Sequence, residues 1–387
     1  MKKICMVVDN SLDHDSRVNK EAASLAKAGY EVVVYAQKTV KNSSEEKVNK
    51  FLVKRASANY DCFSIYKPWR FVFSLQKALK ELKAEKADVY HAHDLPVLPL
   101  CYLAAKANNS KVVYDSHELY LETLDRKNMN LFKYLLLKLK FLIMGLSERK
   151  LIGKVDLVIT VNESIKEELK KRYKIKAVET LLNVPPRSGV VTSRDKFKDL
   201  FGPGTKVVLY QGAFGWLRGL RQLLESVVYW PENFGLVLMG GGPIKTQLEK
   251  LARNLGIEKK IVFLESVPLE QLLDYTSSAD LGVVPMLKTN LNQYLATPNK
   301  LFEYLVAGLP VAVSNMKEMK KLVEEEEIGV VFDPENPKEI ASKINQVLNE
   351  VGVYEKMKNN ALKAAEGRYN WQLEEKKLFA IYKRLTI

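Results

Sequence analysis

The sequence predicts an α/β protein with two doubly wound parallel-sheet (Rossmann-like) domains that face a cleft. Three observations predict it: a length of 387 residues, two series in which short β-branched runs alternate with helical patterns, and a stretch between them rich in proline, glycine and serine. A chain of this length exceeds the size at which one hydrophobic core stops growing, so two domains are expected. Alternating strand and helix patterns indicate βα units, which build parallel sheets.

The first series starts at the N-terminus. The run KICMVV predicts a strand, residues 16–28 predict a helix with Asp15 or Ser16 as its N-cap, and Gly29 ends the helix before the strand YEVVVYA. The runs ADVYHA, KVVYDS and DLVITV continue the pattern. One face of the first helix is apolar, with Val18, Ala22, Leu25 and Ala26.

The second series follows NVPPRSGVVTSRDKFKDLFGPG, which places the domain boundary near residues 184–204. The runs KVVLYQG, FGLVLMGGGP, KIVFLES, ADLGVVP, LPVAVSN and GVVFD predict a second parallel sheet. We therefore predict an N-terminal domain of residues 1–185 and a C-terminal domain of residues 186–369. Residues 370–387 predict a final amphipathic helix, whose apolar stripe contains Trp371, Leu378, Tyr382 and Leu385.

The net charge of +14 calls for an anionic partner. Residues 126–154 contain eight basic residues and one acidic residue, which is half of that net charge, interleaved with bulky apolar residues in LFKYLLLKLKFLIMGL. A basic amphipathic helix suits the surface of an anionic membrane, and the alternative is a core helix whose lysines face water. Nucleic acid is not expected as a partner, because the charge lies among leucines rather than along a polar groove with stacking aromatics.

The cysteines and the N-terminus favour a cytoplasmic location. Cys5, Cys62 and Cys101 form neither a metal-binding spacing nor an even disulfide framework. The apolar run before Asp9 is too short for a signal peptide, and no window reaches the ~18 apolar residues of a membrane span. We expect a cytoplasmic protein that is peripheral at the inner membrane face.

The loops after strands should contain the functional residues, because parallel sheets bind ligands at the carboxyl ends of their strands. In ATPNKLFEYL, Thr297 is the expected N-cap, Pro298 the first helical residue, and Lys300 lies in the first turn. A lysine there opposes the helix dipole at a cost of up to ~1 kcal/mol unless an anion also binds. A phosphate would accept hydrogen bonds from both the lysine and the free N–H groups, and the alternative is a solvated lysine.

Two further loops predict the same chemistry. Arg218 and Gly219 are expected to open the helix after another strand, and Gly240, Gly241 and Gly242 allow close backbone approach before Pro243. Together the three loops predict a diphosphate pocket. Glu303, one turn beyond Lys300, either accepts hydrogen bonds from a ribose or serves only as the ion-pair partner of that lysine.

The sequence lacks the motifs that are typical of other ligand classes. The loop after the first strand, VVDNSLDHDSRVNK, contains no glycine, so a nicotinamide cofactor is not expected, and a P-loop is absent. Asp13, His14 and Asp15 together with His91 and His93 suggest a metal site, but their spacings match no standard ligand set. From the residues alone, the two histidines of HAHD are metal ligands, acid–base groups or polar residues that cap a loop.

These motifs resemble the family 4 (group 1) glycosyltransferases of the GT-B fold over nearly the whole chain. The matching segments are DSRVNKEAASLAKAGYEVVV, ADVYHAHDL, VVYDSHELY, VDLVITVN, GGGP, ADLGVVP and PNKLFEYLVAGLPV. The resemblance implies an enzyme that transfers a sugar with retention from a nucleotide-sugar donor to a glycan acceptor, without an obligatory metal or a cofactor. It implies donor binding by the C-terminal domain, acceptor binding by the N-terminal domain, and a last helix that crosses back. With the basic segment, the expected acceptor is lipid-linked or on the cell surface.

The resemblance also implies roles for single residues. His93 is expected to position and stabilise the transferred sugar, with Asp94 orienting its ring. Acceptor binding is expected from Arg17, His117 and Glu118, and Arg17 is also expected to bind an anion because the family's first-loop glycine pair is absent. The implied donor-binding residues are Arg218, Gly240, Gly241, Gly242, Asn299, Lys300, Leu301 and Glu303.

Two positions depart from the family pattern. Leu295 replaces the first glutamate of the E-x7-E element, and Ala213 follows Gly212 where an arginine is more usual. The residues expected to shape the donor-sugar site are Thr289, Asn292, Tyr294 and Leu295. The alternatives are a sugar-nucleotide 2-epimerase or phosphorylase of similar architecture, a protein that binds a sugar nucleotide without catalysis, and a nucleic-acid-binding protein.

Overall fold

The computed structural model describes residues 1–13, 15–39, 43–56, 58, 60–63, 68–123, 131–187, 195–197 and 199–386. The chain divides into two compact units. The first unit consists of Met1–Asn183 together with Glu374–Ile387, and the second consists of Val184–Leu373. Each unit is an α/β sandwich around a mostly parallel sheet, as the sequence predicts.

In the described part of the first unit, eight strands form one sheet. They are β1 (Lys3–Val7), β2 (Glu31–Gln37), β3 (Glu45–Val48), β4 (Phe51–Ala56), β5 (Val89–His93), β6 (Lys111–Ser116), β7 (Leu157–Thr160) and β8 (Val178–Thr180), in the order β3-β4-β2-β1-β5-β6-β7-β8. The helices between them are α1 (Ser16–Lys27), α2 (Pro68–Ala84), α3 (Leu98–Asn108), α4 (Leu131–Leu151) and α5 (Glu163–Tyr173).

The first helix forms as its sequence predicts. The Asp15 side chain accepts a hydrogen bond from the backbone N–H of Val18 and so caps α1. Val18, Ala22 and Leu25 are buried against the sheet. Gly29 then adopts a φ of +93°, which ends the helix before β2.

One part of this sheet is not parallel. β3 pairs antiparallel with β4, while every other strand pair in the described part of the sheet is parallel. The sequence did not predict this hairpin. The charged run EEKV of β3 gives no apolar alternation, so its pairing depends on the edge that β4 offers to it.

In the second unit, six strands form one parallel sheet within the described residues. They are β9 (Lys206–Gln211), β10 (Phe234–Met239), β11 (Ile261–Leu264), β12 (Leu281–Val284), β13 (Val311–Ser314) and β14 (Gly329–Phe332), in the order β11-β10-β9-β12-β13-β14. The helices are α6 (Leu220–Val227), α7 (Lys245–Asn254), α8 (Leu269–Ser277), α9 (Leu291–Leu295), α10 (Asn299–Ala307), α11 (Lys317–Glu326), α12 (Pro337–Asn349) and α13 (Val351–Gly367). The last helix, α14 (Trp371–Thr386), begins in this unit.

Two helix starts differ from the predictions. α10 begins at Asn299 with Pro298 as its N-cap, so Thr297 is not the cap; Pro298 has an extended ψ of 141° and cannot yet belong to the helix. α6 begins at Leu220, and Arg218 lies in a short 3₁₀ turn before Gly219, whose φ is +65°. A Cβ on Gly219 would lie 1.6 Å from the carbonyl oxygen of Pro285, so this turn requires glycine.

The last helix joins the first unit from Glu374 onward. Trp371, Leu378 and Tyr382 of its predicted stripe are buried. The Glu375 carboxylate accepts a hydrogen bond from the hydroxyl of Ser24 on α1, and buried Glu374 accepts one from the backbone N–H of Leu182. These polar contacts fix the register of α14 against the first unit.

Among the described residues, no helix combines the length and the apolar character that crossing a membrane requires.

Candidate functional site

A cavity of about 620 Å³ lies in the second unit at the carboxyl ends of β9, β10 and β11. Six of the eight predicted donor-binding residues line it: Arg218, Gly240, Gly241, Asn299, Lys300 and Glu303. The other two are not in the described lining: Leu301 is fully buried, and Gly242 is exposed and packs against the neighbouring loop. The three loops chosen from the sequence therefore meet at one cavity.

The glycines of GGGP mainly allow two loops to pack. A Cβ on Gly240 would lie 2.1 Å from the carbonyl oxygen of Gly212, and a Cβ on Gly242 would lie 2.5 Å from that of Phe214. Both glycines have φ values that other residues avoid, +144° and +152°. Gly241 has no such contact and lines the cavity with its backbone.

Two cations in this cavity have no carboxylate within ion-pair distance among the residues described. The Lys300 ammonium lies 3.7 Å from the ring centroid of Tyr210, and Arg218 makes a 3.9 Å contact with the sulfur of Met286. Burial lowers the pKa of Lys300 well below its usual value, and the charge of Arg218 lowers it further. Like charges held together without an anion favour a negatively charged ligand.

Glu303 lies one turn beyond Lys300 and its carboxylate accepts a hydrogen bond from the side-chain amide of Gln211. Its charge partly opposes the lowering of the pKa of Lys300.

Four residues are expected from the sequence to shape the donor-sugar site. None of them belongs to the described lining of the cavity: Thr289, Asn292, Tyr294 and Leu295 lie in α9 or the turn before it, and Asn292 and Leu295 are buried.

A second polar cluster lies in the first unit, where β5 and β6 end. Their pairing places His93 opposite Asp115. His91 and His93 are on one face of β5, with ring centroids 4.1 Å apart, and both are buried. His93 Nδ1 lies 3.2 Å from His117 Nε2, while His91 Nδ1 lies 2.6 Å from the Tyr382 hydroxyl on α14.

His117 is held between two carboxylates. Its Nδ1 lies 3.1 Å from Asp94 and its Nε2 lies 3.3 Å from Asp115. Burial opposes protonation of His117, but the charges of Asp94 and then Asp115 outweigh it and raise the pKa well above the usual value. For His93, burial lowers the pKa despite the opposing effect of Asp115, so His117 is the charged imidazole of the pair.

Asp94 has a strained backbone. Its φ of 68° and ψ of 165° lie in a region that is essentially reserved for glycine. Its carboxylate also accepts a hydrogen bond from the backbone N–H of His117. Such strain is typical of functional sites. Of the predicted acceptor-binding residues, His117 and Glu118 are partly exposed, whereas His93, the predicted catalytic residue, is 1% exposed.

The sequence predicts that Arg17 binds an anionic ligand, but the structure buries this side chain. It is 2% exposed, and its guanidinium donates two hydrogen bonds to Asp115 and one to the carbonyl oxygen of Leu181. Its donors are thus used inside the protein. Asp115, which the sequence analysis did not single out, is the centre of this cluster, and the only local signal was a carboxylate at the end of a buried strand.

Four residues of this cluster have the composition of a metal site. Glu21, His91, His93 and Asp115 each place one ligand atom within 4.8 Å of the others. However, the Arg17 Nε atom lies 2.8 Å from Asp115 and 3.0 Å from Glu21, so a cation already neutralises this position. Of the metal set considered from the sequence, His14 lies outside the described residues and Asp13 pairs with Arg55.

Comparison with known proteins identifies the family. The family described as "Glycosyltransferase Family 4" matches residues 17–183, and the family described as "Glycosyl transferases group 1" matches residues 191–364. The chain belongs to the group 1, family 4 glycosyltransferases. The resemblance noted from the sequence motifs is thereby confirmed.

Relatives in this family are distant. An uncharacterized glycosyltransferase of Methanocaldococcus jannaschii is 29% identical over 238 residues, which is 58% of this chain and 59% of the relative. A D-inositol 3-phosphate glycosyltransferase of Corynebacterium urealyticum is 28% identical over 190 residues, 46% of this chain and 43% of the relative. The matched regions thus span about half of each relative's length.

Solved structures show the same fold. Sucrose-phosphate synthase from Thermosynechococcus elongatus aligns with a TM-score of 0.82 at 18% identity, covering 100% of this chain and 99% of that one. The Anabaena protein HepE in complex with UDP-glucose aligns with a TM-score of 0.75 at 15% identity, covering 99% and 100%. The predicted GT-B fold is confirmed.

Proposed function

We propose that this protein is a retaining glycosyltransferase that transfers a sugar from a nucleotide-sugar to a lipid-linked or cell-surface glycan without an obligatory metal. The observation that carries the proposal is the pair of cations, Lys300 and Arg218, in one cavity at the carboxyl ends of parallel strands. Membership of a glycosyltransferase family supports it, as does the UDP-glucose bound to the structurally similar HepE.

In this proposal the cavity of the second unit binds the donor. Lys300, Arg218 and the N-terminus of α10 bind the diphosphate, because each offers N–H donors or positive charge. Glu303 accepts hydrogen bonds from the ribose. When the bond between the anomeric carbon and the phosphate oxygen breaks, negative charge develops on that oxygen, and the two fixed cations stabilise it. In this proposal no metal ion is needed to stabilise the leaving phosphate oxygen, since Lys300 and Arg218 supply the positive charge.

In the first unit, we assign His93 and Asp94 to positioning the transferred sugar, and His117 and Glu118 to the acceptor. The charged His117 imidazole places positive charge at the partly exposed edge of the cluster, while its two N–H groups face Asp94 and Asp115. Arg17 then acts through Asp115, which it holds in place between the histidines. We therefore propose a structural role for Arg17 in place of the acceptor contact expected from the sequence.

Donor binding and product analysis test this function. We expect calorimetry with UDP, GDP and ADP and their sugar conjugates to find one nucleotide that binds. With that conjugate and an acceptor, NMR of the anomeric proton should show retention, and the rate should not change in EDTA. No binding at millimolar concentration would remove the basis of the proposal. A product that keeps its nucleotide would instead indicate a 2-epimerase.

The acceptor class depends on the surface of α4. This helix exposes large apolar side chains every three or four residues along one face, and Leu142 and Leu146 are 61% and 62% exposed. The same face contains Phe132, Leu135 and Leu139. The opposite face is fixed to the unit, because buried Glu148 accepts hydrogen bonds from the hydroxyls of Tyr114 and Tyr173.

Basic residues accompany this apolar face. Lys138, Arg149 and Lys150 on α4 are exposed. Arg126 and Lys127 of the predicted basic segment lie outside the described residues. We assign the apolar face of α4 to an anionic membrane surface, where the leucines enter the acyl boundary and the basic residues meet the headgroups. In this proposal the membrane surface is the cytoplasmic face of the inner membrane, where a lipid-linked acceptor would be available.

Replacement of two leucines on this face tests membrane binding. We expect the double variant Leu139→Asp/Leu142→Asp to sediment with phosphatidylglycerol vesicles at least ~10-fold less than the wild type, since each leucine loses its apolar burial and adds a charge. The matched control is Val351→Asp, which changes an exposed apolar residue of the second unit. Equal sedimentation of all three proteins, or binding unaffected by lipid charge, would contradict membrane attachment through α4.

A further inference from the structure

Gln211 connects Glu303 to a second helix. It is the last residue of β9 and is buried. Its side-chain Nε2 donates to Glu303 Oε2 at 2.5 Å, and its Oε1 accepts from the hydroxyl of Thr276 on α8 at 2.8 Å. Its backbone N–H donates to the hydroxyl of Tyr304 on α10. Gln211 is therefore fixed at both its backbone and its side chain.

The direction of this hydrogen-bonded chain follows from its ends. A carboxylate only accepts hydrogen bonds, so the amide group of Gln211 must present its NH₂ to Glu303. Its carbonyl oxygen then faces Thr276, which donates. The Thr276 hydroxyl also lies 2.7 Å from the carbonyl oxygen of Leu272, one turn earlier in α8, so two acceptors compete for its single hydrogen. The amide of Gln211 needs this donor because it is buried.

We propose that Gln211, held by Thr276, is a positioning residue that fixes Glu303 in the orientation that binds the ribose of the donor. The inference rests on the proposed function, because it assumes that a nucleotide occupies the cavity. A glutamate has three rotatable side-chain bonds, and ordering it upon binding costs affinity. The hydrogen bond from Gln211 orders the carboxylate before the ligand arrives.

Thr276 makes the inference testable, because it is remote from the ligand. It is 1% exposed and is not part of the described lining of the cavity, whereas Gln211 and Glu303 both line it. A change at Thr276 therefore reaches a ligand through Gln211, or through Leu272, which lines the cavity and whose carbonyl oxygen the Thr276 hydroxyl contacts. Loss of its hydroxyl leaves the Gln211 carbonyl oxygen without this donor, which favours other orientations of the amide and releases the carboxylate.

The experiment compares ligands with and without ribose hydroxyls. We expect Thr276→Val to bind UDP roughly 10-fold more weakly than the wild type, while 2′,3′-dideoxy-UDP and pyrophosphate bind within about 2-fold of the wild type. Thr276→Ser retains the hydroxyl and should restore wild-type affinity for UDP. GDP or ADP and the matching dideoxy compound replace UDP if the wild type prefers them. A general weakening of the fold would affect all three ligands alike.

A double-mutant cycle separates positioning from unrelated damage. The preference for ribose is the ratio of the affinities for UDP and 2′,3′-dideoxy-UDP. In a Glu303→Gln background, Thr276→Val should not change this ratio further, because Glu303, which Thr276 orients through Gln211, is already replaced. Undiminished ribose preference in Thr276→Val would overturn the inference while leaving the proposed function intact. If wild-type protein binds no nucleotide, the proposed function fails first. Gln211→Asn, whose amide is too short to reach Glu303, replaces Thr276→Val should that variant not fold.

Discussion

Lys300→Met is expected to weaken binding of the nucleoside diphosphate at least ~100-fold. The ammonium lies in the first turn of α10, over the ring of Tyr210 and in the same cavity as Arg218. Methionine has a similar length and keeps the packing but removes the charge and all three donors. Charge-assisted hydrogen bonds to a phosphate are strong, and this site is largely shielded from water. A 100-fold loss corresponds to about 2.7 kcal/mol of binding free energy.

The control for this variant is another lysine over a tyrosine ring. Lys338 on α12 lies 5.7 Å from the ring centroid of Tyr229 and is exposed outside the donor cavity. Lys338→Met should bind the diphosphate as the wild type does, and both variants should unfold at similar temperatures. If Lys300→Met retained affinity within about 3-fold, the anion would bind elsewhere, and Lys300 would be a solvated lysine, the alternative left open by the sequence.

The sequence predicts a strand or helix wherever the residues of that element are sufficient to indicate it. Buried runs such as FGLVLM are continuous and apolar, so β10 is recognisable without its neighbours. The hairpin of β3 and β4 is not, because a charged edge strand is stabilised by the strand beside it. The start of α10 differs by one residue from the prediction for a related reason: the sequence favours Thr297 as N-cap and Pro298 as the first helical residue, and only the extended ψ of Pro298 shows that the helix starts one residue later.

The residues of the candidate site also fall into two groups, those that the sequence alone indicates and those that it does not. The sequence indicates Arg218 and the glycines because they lie in loops after strands, and Lys300 because it lies in the first turn of a helix; the fold brings these segments to one cavity. The sequence does not indicate Gln211, Thr276 and Asp115, because each makes a hydrogen bond that defines its role with a residue more than 60 positions away in the chain. Arg17 was assigned to a ligand for the same reason: its buried partner Asp115 is 98 residues away.

Asp115→Asn is the substitution expected to cost the most stability. The carboxylate accepts two hydrogen bonds from the Arg17 guanidinium and lies within 3.4 Å of both His93 and His117. Asparagine has the same shape but leaves Arg17 as a buried charge with its principal partner removed. Breaking a buried ion pair in this way typically costs about 3–5 kcal/mol of unfolding free energy. Urea denaturation at pH 7 measures the loss directly.

The pH dependence distinguishes this ion pair from ordinary packing. Burial opposes ionisation of Asp115, but Arg17 and the histidines hold its pKa well below the usual value. A carboxyl whose pKa is depressed on folding stabilises the protein above its unfolded pKa of about 4, and that stabilisation is lost as the pH falls through the folded pKa. The stability difference between wild type and Asp115→Asn should therefore shrink below about pH 4.

Glu21→Gln is the matched control, because Glu21 has the opposite shift in the same cluster. Burial raises the pKa of Glu21 to about 8, although Arg17 opposes the increase. Between about pH 4 and 8 the unfolded chain ionises this group while the folded chain retains the proton, so wild-type Glu21 lowers stability as the pH rises. Glutamine copies the neutral acid, so Glu21→Gln should be at least as stable as the wild type at pH 7. If both variants lost equal stability, the two carboxyl groups would carry the same charge, and the assignment of Asp115 as the sole anion facing Arg17 would be wrong.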